Sequence, residues 1–135
     1  MNWVDYIGDN KKTIDIIFGN KTPELNNIEI RDITIGYQYS NAVEVVFDLC
    51  QYPSNPPLKW KQKGENEISI KLLFSEIEKF RSDLWECQYD KKSDIKIKPV
   101  NEKFDISFTG ISINMSFTAN WISMLDFHSY KHEAR

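Results

Sequence analysis

Apolar and polar residues alternate through Ala42-Val-Glu-Val-Val-Phe-Asp-Leu49, which reads as a β-strand. Val43, Val45, Phe47 and Leu49 share one face, and Glu44 and Asp48 share the other, with Val46 between the two carboxylates. The proline-punctuated loop Cys50-Gln-Tyr-Pro-Ser-Asn-Pro-Pro57 follows, and Trp60 closes it. Upstream, Ile28 and Ile30 alternate, then Ile33, Ile35 and Tyr37 alternate on the opposite parity. The switch falls at Arg31-Asp32 and predicts a bulge, or a break between two short strands. Before these strands the period is helical. Ile14, Ile17 and Phe18 form a stripe over Lys11–Phe18, with Asp9 or Asn10 placed to cap it and Gly19 placed to end it. Trp3, Val4 and Ile7 predict a short helical turn before that.

Downstream, strand periodicity dominates. Lys61-Gln-Lys-Gly-Glu-Asn66 reads as a polar, hairpin-like loop, and Ile68, Ile70, Leu72 and Phe74 as an inward row. Ser75–Arg81 reads as a helical turn or a wide connection. Leu84–Tyr89 reads as a strand, Asp90–Asp94 as a turn, and Ile95–Val100 as a strand alternating with Lys96 and Lys98. Phe104, Ile106 and Phe108 form another row, reversed at Thr109-Gly110, with Ile111, Ile113, Met115 and Phe117 returning along it. Trp121–Tyr130 reads as a last strand, apolar on both parities at Met124 and Leu125 and so expected to be covered on both sides. Short intervals between strands predict an α+β fold. A mostly antiparallel sheet of meander type follows a short N-terminal helical segment, in a single domain spanning 1–135.

Composition narrows the class. Apolar residues make up 41% and charged residues 27% of 135, as in a folded globular chain. Aromatic residues reach 13%, which suits a β-rich core or a surface that grips another protein. The formal charge of −3 argues against a stable nucleic-acid complex, which normally wants a basic surface. Met1-Asn2-Trp3-Val4-Asp5 has no signal-peptide character, and no apolar run approaches the roughly 20 residues needed to cross a bilayer. A cytoplasmic protein without a membrane partner is expected. Cys50 and Cys87 can form one bridge or remain as buried thiols; they make neither a disulfide framework nor a zinc site.

Candidate chemistry is sparse. His128 and His132 would converge only on a helix, and the segment reads as a strand end and tail, so no metal site is expected. Asp126 and His128 share a strand face and could form a dyad in a small hydrolase or isomerase, but no serine or cysteine is marked as the attacking group. Glu44 and Asp48, four apart on a strand, lie about 13 Å apart. That exceeds the roughly 6.5–9.5 Å of an inverting glycosidase pair. They read as a solvated edge or a contact surface, and Asp48 could instead accept backbone N–H bonds in the proline loop. Lys59, Lys61 and Lys63 around Trp60, and Lys91, Lys92, Lys96 and Lys98 around Ile95 and Ile97, are flanked by Glu65, Glu67, Asp90 and Asp94. They read as solvated hairpin tips and edge lysines that deter aggregation rather than as a nucleic-acid track.

One ordered set of landmarks resembles a family. Trp3 precedes a helix closing on Ile17-Phe18-Gly19; Pro23-Glu-Leu25 follows; then come Phe47-Asp48-Leu49, Pro56-Pro57, Lys59-Trp60, an Asn66 turn and a row ending at Phe74. Over about the first two-thirds of the chain this order is similar to the Immunity protein 50 (Imm50) family of bacterial polymorphic toxin systems. The resemblance implies a protein that neutralises a cognate toxin's C-terminal domain inside the producing cell. It would do so by stoichiometric binding, with no catalysis and no cofactor. Trp3, Phe18, Gly19, Pro57, Trp60 and Phe74 are then keepers of the fold. For partner binding, the candidate residues are Asp83, Trp85, Glu86, Tyr89 and Asp90, where acidic side chains gather beside two aromatics. A non-catalytic adaptor in a larger assembly is a further reading, which a toxin gene directly upstream would disfavour.

Overall fold

The computed structural model describes residues 2–36, 41–83, 92–111 and 113–132. A 3-10 turn at Trp3–Tyr6 and a second at Gly8–Asn10 lead into helix α1 (Lys11–Phe18). The strands are β1 (Ile28–Ile35), β2 (Ala42–Asp48), β3 (Glu67–Ser75), β4 (Glu78–Ser82), β5 (Lys92–Val100), β6 (Lys103–Gly110), β7 (Asn114–Ala119) and β8 (Trp121–Tyr130). A short helix, α2 (Leu58–Lys63), separates β2 from β3. All strands pair antiparallel in one eight-stranded sheet ordered β4-β7-β6-β5-β1-β2-β3-β8. The expected mostly antiparallel sheet after a short helical start is therefore present. Its meander character resides in two runs, β1-β2-β3 and β5-β6-β7, while β4 and β8 close the ends beside non-consecutive strands.

The sheet is two four-stranded halves. Among the described residues they meet at β1 and β5 through two residue pairs, Ile28 with Ser93 and Glu29 with Lys92. Their apolar faces turn toward each other: the Phe74 ring of β3 lies 6.1 Å from Phe108 of β6 and 5.4 Å from Phe117 of β7. None of those strands is a neighbour of β3 in the sheet. The core thus fills the concave side, with Val43, Val45, Phe47, Ile68, Ile70, Leu72, Phe74, Ile106 and Phe108 buried. The N-terminal segment packs on it through Val4, Ile7 and Ile14, and Tyr6 rests 4.9 Å from Phe104. Period-two alternation leaves the opposite, outward side of both halves polar.

Local chemistry explains the element boundaries. Gly19 ends α1 in the left-handed conformation, φ 62°, as its position predicts. Asn10 precedes α1 without making a side-chain cap; its amide donates instead to the Met124 carbonyl at 3.2 Å and ties the helix to β8. The parity switch in β1 is a bulge between Ile30 and Asp32, with Arg31 as the extra residue.

Several expectations are corrected. The first half of the loop drawn through Lys61–Asn66 is the end of helix α2, which Gly64 terminates at φ 66°. Trp60 needs that turn to reach the core margin, where it meets Tyr52 at 6.1 Å and Phe127 at 6.5 Å. Lys59, Lys61 and Lys63 therefore lie on a helix, not a hairpin tip. Ser75–Arg81 is a connection followed by an edge strand, β4, whose residues are all exposed. In β8 the double apolar parity is a second bulge, not two-sided cover: the register slips between Lys71 and Leu72, leaving Leu125 51% exposed. Ile111 is 82% exposed, because the chain is still turning when it passes that position. Cys50 is exposed, not buried. Cys87 and the strand expected at Leu84–Tyr89 lie outside the described residues.

Gly110 sits where β6 passes β5. A Cβ there would stand 2.5 Å from the Ser93 hydroxyl oxygen and 3.2 Å from the Lys92 carbonyl oxygen. Ser93 is itself buried. Gly110→Ala should therefore cost about 1–3 kcal/mol of unfolding free energy through overpacking. Urea unfolding checks this, and an unchanged midpoint would show that the β5–β6 pair yields freely.

Candidate functional site

The outer face of the β1-β2-β3-β8 half carries the most constructed polar cluster. Asp48 closes β2 and lies opposite Glu29 of β1 on one side and Ser69 of β3 on the other. The bulge at Arg31 directs its side chain across the sheet to Asp48. Arg31 Nε donates to Asp48 Oδ2 at 2.7 Å, and Nη2 lies 2.6 Å from the same oxygen. The Tyr130 hydroxyl, at the end of β8, also donates to Oδ2, at 2.5 Å. Arg31 Nη2 further donates to the Tyr130 oxygen at 3.3 Å and pairs with Glu29 at 3.3 Å, and Lys92 holds Glu29 at 2.9 Å. Asp48 is only 2% exposed, and its Oδ1 has no hydrogen-bond partner among the described residues.

This arrangement sets the electrostatics. Burial, then the hydrogen bond and charge of Asp48, push the Tyr130 hydroxyl up to about 12, against a smaller opposing pull from Arg31. Burial alone would lower the Arg31 guanidinium; the hydrogen bond and charge of Asp48 outweigh it and raise it above its usual value. Both shifts keep the cluster in one protonation state across neutral pH: guanidinium positive, phenol neutral. Chemically it is a lock joining three strands rather than a reaction centre, since its one unpartnered oxygen is sealed from solvent. Asp48 is neither the solvated edge nor the backbone acceptor that its sequence position suggested. Glu44 is half-buried farther along β2 and opposite Thr34.

The other sequence candidates fall elsewhere. His128 Nδ1 contacts Asp126 at 2.5 Å, so the dyad forms, but the two side chains are 53% and 48% exposed on the outward side of β8. Solvent exposure of that kind disfavours a proton relay, which depends on a water-poor setting. His132 does not converge with His128 on a common ligand position; its backbone N–H and carbonyl pair with the Asn66 side chain at 2.8 and 3.2 Å. Among the described residues no group of three or more His, Cys, Asp and Glu side chains is placed to hold a metal ion. No helix among them is long and apolar enough to cross a membrane. Asp83 is exposed at the end of β4, and its N–H donates to the Asn114 carbonyl at 2.8 Å. Trp85, Glu86, Tyr89 and Asp90 lie outside the described residues.

The second half of the sheet carries a different outward surface. A trough of about 660 Å³ runs across β4, β7, β6 and β5, lined among others by Lys79, Arg81, Lys96, Lys98 and Asp105. Among the described residues, Lys96 and Lys98 lie where β5 pairs with β6 alone, because its pairs with β1 are confined to Lys92 and Ser93; they border an open strand edge, as expected. Strand alternation had marked them as outward-facing but could not show that β4 brings Arg81 and Lys79 to the same place.

The Immunity protein 50 family profile matches residues 10–130, nearly the whole chain. The chain belongs to the Imm50 family. The match extends through β8, well beyond the two-thirds over which the landmarks resembled the family. Imm50 membership assigns an immunity role, neutralisation of a toxin by protein binding, which calls for no reaction centre. The curated proteins and the solved structures contain no match to this Imm50 chain.

Proposed function

We propose that this protein neutralises the C-terminal domain of a cognate polymorphic toxin in the cytoplasm of the producing cell, by forming a stoichiometric complex. The observation that carries this reading is the Imm50 match over residues 10–130. The molecule's design supports it. One side of the sheet is consumed by the core, and the other presents two outward polar faces on a rigid antiparallel scaffold, as an inhibitor that binds without reshaping needs. Its mixed charges favour rapid, oriented capture.

The test is co-expression with the C-terminal domain encoded by the adjoining upstream gene. Cells should survive, and the two chains should elute together at a 1:1 ratio from a sizing column. His128→Ala and Asp126→Ala should protect as well as the unaltered chain, within about 2-fold in surviving colonies, because surface substitutions away from an interface have small effects. Killing in the presence of the folded protein, with no complex, would remove the immunity reading. Protection lost specifically with His128 would restore the hydrolase alternative.

A further inference from the structure

We propose, building on the immunity reading, that the trough across β4, β7, β6 and β5 is the toxin-docking surface, and that it takes an acidic segment of the toxin bearing an apolar anchor. Strand register builds the trough. Lys96, Ser107, Ser116 and Arg81 lie side by side across β5, β6, β7 and β4, and Lys98, Asp105 and Thr118 form the next row. Four cations, Lys79, Arg81, Lys96 and Lys98, face one carboxylate, Asp105, in about 660 Å³. The local balance is +3 (four minus one) in a chain whose formal total is −3.

Those four cations are exposed, and none of their side chains makes a hydrogen bond or ion pair among the described residues. The contrast with the other half is direct: there Arg31 and Lys92 are both engaged by acids. The acid nearest in sequence, Glu78, is held by Lys103 at 3.2 Å. Lys96 and Lys98 also repel each other, being two residues apart on one strand face and so about 6.5 Å apart along it. Among the described residues the trough therefore carries repulsion that no acid other than Asp105 offsets, and that an anionic occupant relieves.

Two features define the occupant further. Phe80, 38% exposed, borders the trough at the edge strand; its ring stacks on the core residue Phe117 at 6.2 Å, and its exposed part offers an apolar contact at the rim of the cationic rows. An aromatic contact ringed by charge suits a protein side chain anchored between carboxylates. The bulge between Glu78 and Arg81, with Lys79 at φ 55°, interrupts the free edge of β4. Such an edge is a poor template for adding a strand, so recognition here works through side chains. Asp105 in the middle of the trough opposes a phosphate backbone, which favours a protein over a nucleic acid.

The test uses the full chain and the purified toxin C-terminal domain, with affinity measured calorimetrically at low and physiological salt. Lys96→Glu/Lys98→Glu should weaken binding by at least about 100-fold and flatten its salt dependence, because it reverses the field at the docking site. Lys12→Glu/Lys21→Glu makes the same charge change away from the trough and should weaken binding less than about 5-fold. If the glutamate pair fails to fold by circular dichroism, Lys96→Gln/Lys98→Gln should weaken binding by about 10-fold. Unchanged affinity in a folded trough variant, or equal weakening by the control pair, overturns the trough while leaving the immunity reading intact. An unaltered chain that does not bind the toxin overturns both. A fluorescent single-stranded RNA held by the unaltered chain at physiological salt, and released by the trough variant, also overturns the proposal in favour of nucleic acid.

Discussion

Phe74→Ala is expected to lower the unfolding free energy by about 4 kcal/mol. The Phe74 side chain is fully buried on β3, and its ring meets Phe108 and Phe117 edge-on. Those partners belong to the other half of the sheet. Among the described residues the β1–β5 ladder joining the halves has two residue pairs, with a flanking backbone hydrogen bond from the Ile95 N–H to the Leu25 carbonyl. Packing between the concave faces, not strand pairing, therefore holds the halves together, and Phe74 is at its centre. Truncation removes both the transferred apolar area and two aromatic edge contacts, and it leaves a cavity between two strand-paired halves. A domain of this kind is stable by only about 5–15 kcal/mol, so the variant should be largely folded at 10 °C and substantially unfolded near 50 °C. Phe74→Leu should recover more than half of the loss, since it refills most of the volume. Tryptophan fluorescence in urea measures both. A loss under about 1 kcal/mol for the alanine variant would mean that the halves do not depend on this contact.

What the sequence could show follows from how far apart the cooperating residues are. The β1 bulge was legible because its signature, a switch of parity at Arg31-Asp32, is written within eight residues. The limits of α1 and β8 were legible for the same reason, one from a glycine stop and the other from a run rich in apolar and aromatic residues between Asn120 and the polar tail. The apolar pair Met124-Leu125 was misread because a bulge and a doubly covered strand leave the same local pattern; only the register against Lys71 and Leu72 separates them. The α2 helix escaped because six residues with a glycine stop are too few to display a helical period. The edge strand β4 escaped because all of it is exposed, so it has no apolar alternation to betray it.

The sites were hidden by distance. Asp48 could be placed on an outward face, but its partners Arg31 and Tyr130 come from 17 and 82 residues away. Nothing local distinguishes it from the half-buried carboxylate of Glu44 on the same face. A single hint did exist: a bulge re-aims a side chain, and the residue re-aimed was a cation on the strand next to β2. The cationic trough is more diffuse still, since its charges come from β4 and β5 and its hydroxyls from β6 and β7. Pairing of β4 with β7, across two intervening strands in the sequence, is a topological choice that residue types do not announce.

Asp48→Ala is expected to cost about 3 kcal/mol, the low end for removing one partner of a buried pair. Arg31 moderates the cost, because its side chain is 35% exposed and keeps Glu29 at 3.3 Å. Tyr130 has no such refuge and loses the acceptor of its hydroxyl. Tyr130→Phe should cost about 1 kcal/mol at pH 7–9, the usual worth of one hydrogen bond. The two proteins should then differ in the alkaline limb. In the unaltered chain the Tyr130 pKa is raised from 10.0 to about 12, so the unfolded state releases this proton first. Its contribution to stability is therefore complete below pH 10 and lost as pH rises from 10 toward 12. With Tyr130 partly exposed, solvent screening reduces that contribution to about 1–2 kcal/mol. Tyr52, also raised by burial and by Glu65, is present in both proteins and cancels in the comparison. Urea midpoints from pH 9 to 11.5 should fall more steeply for the unaltered chain than for Tyr130→Phe, so that the two curves converge. Parallel curves would show that the phenol is free to ionise, and that Asp48 is held by Arg31 alone.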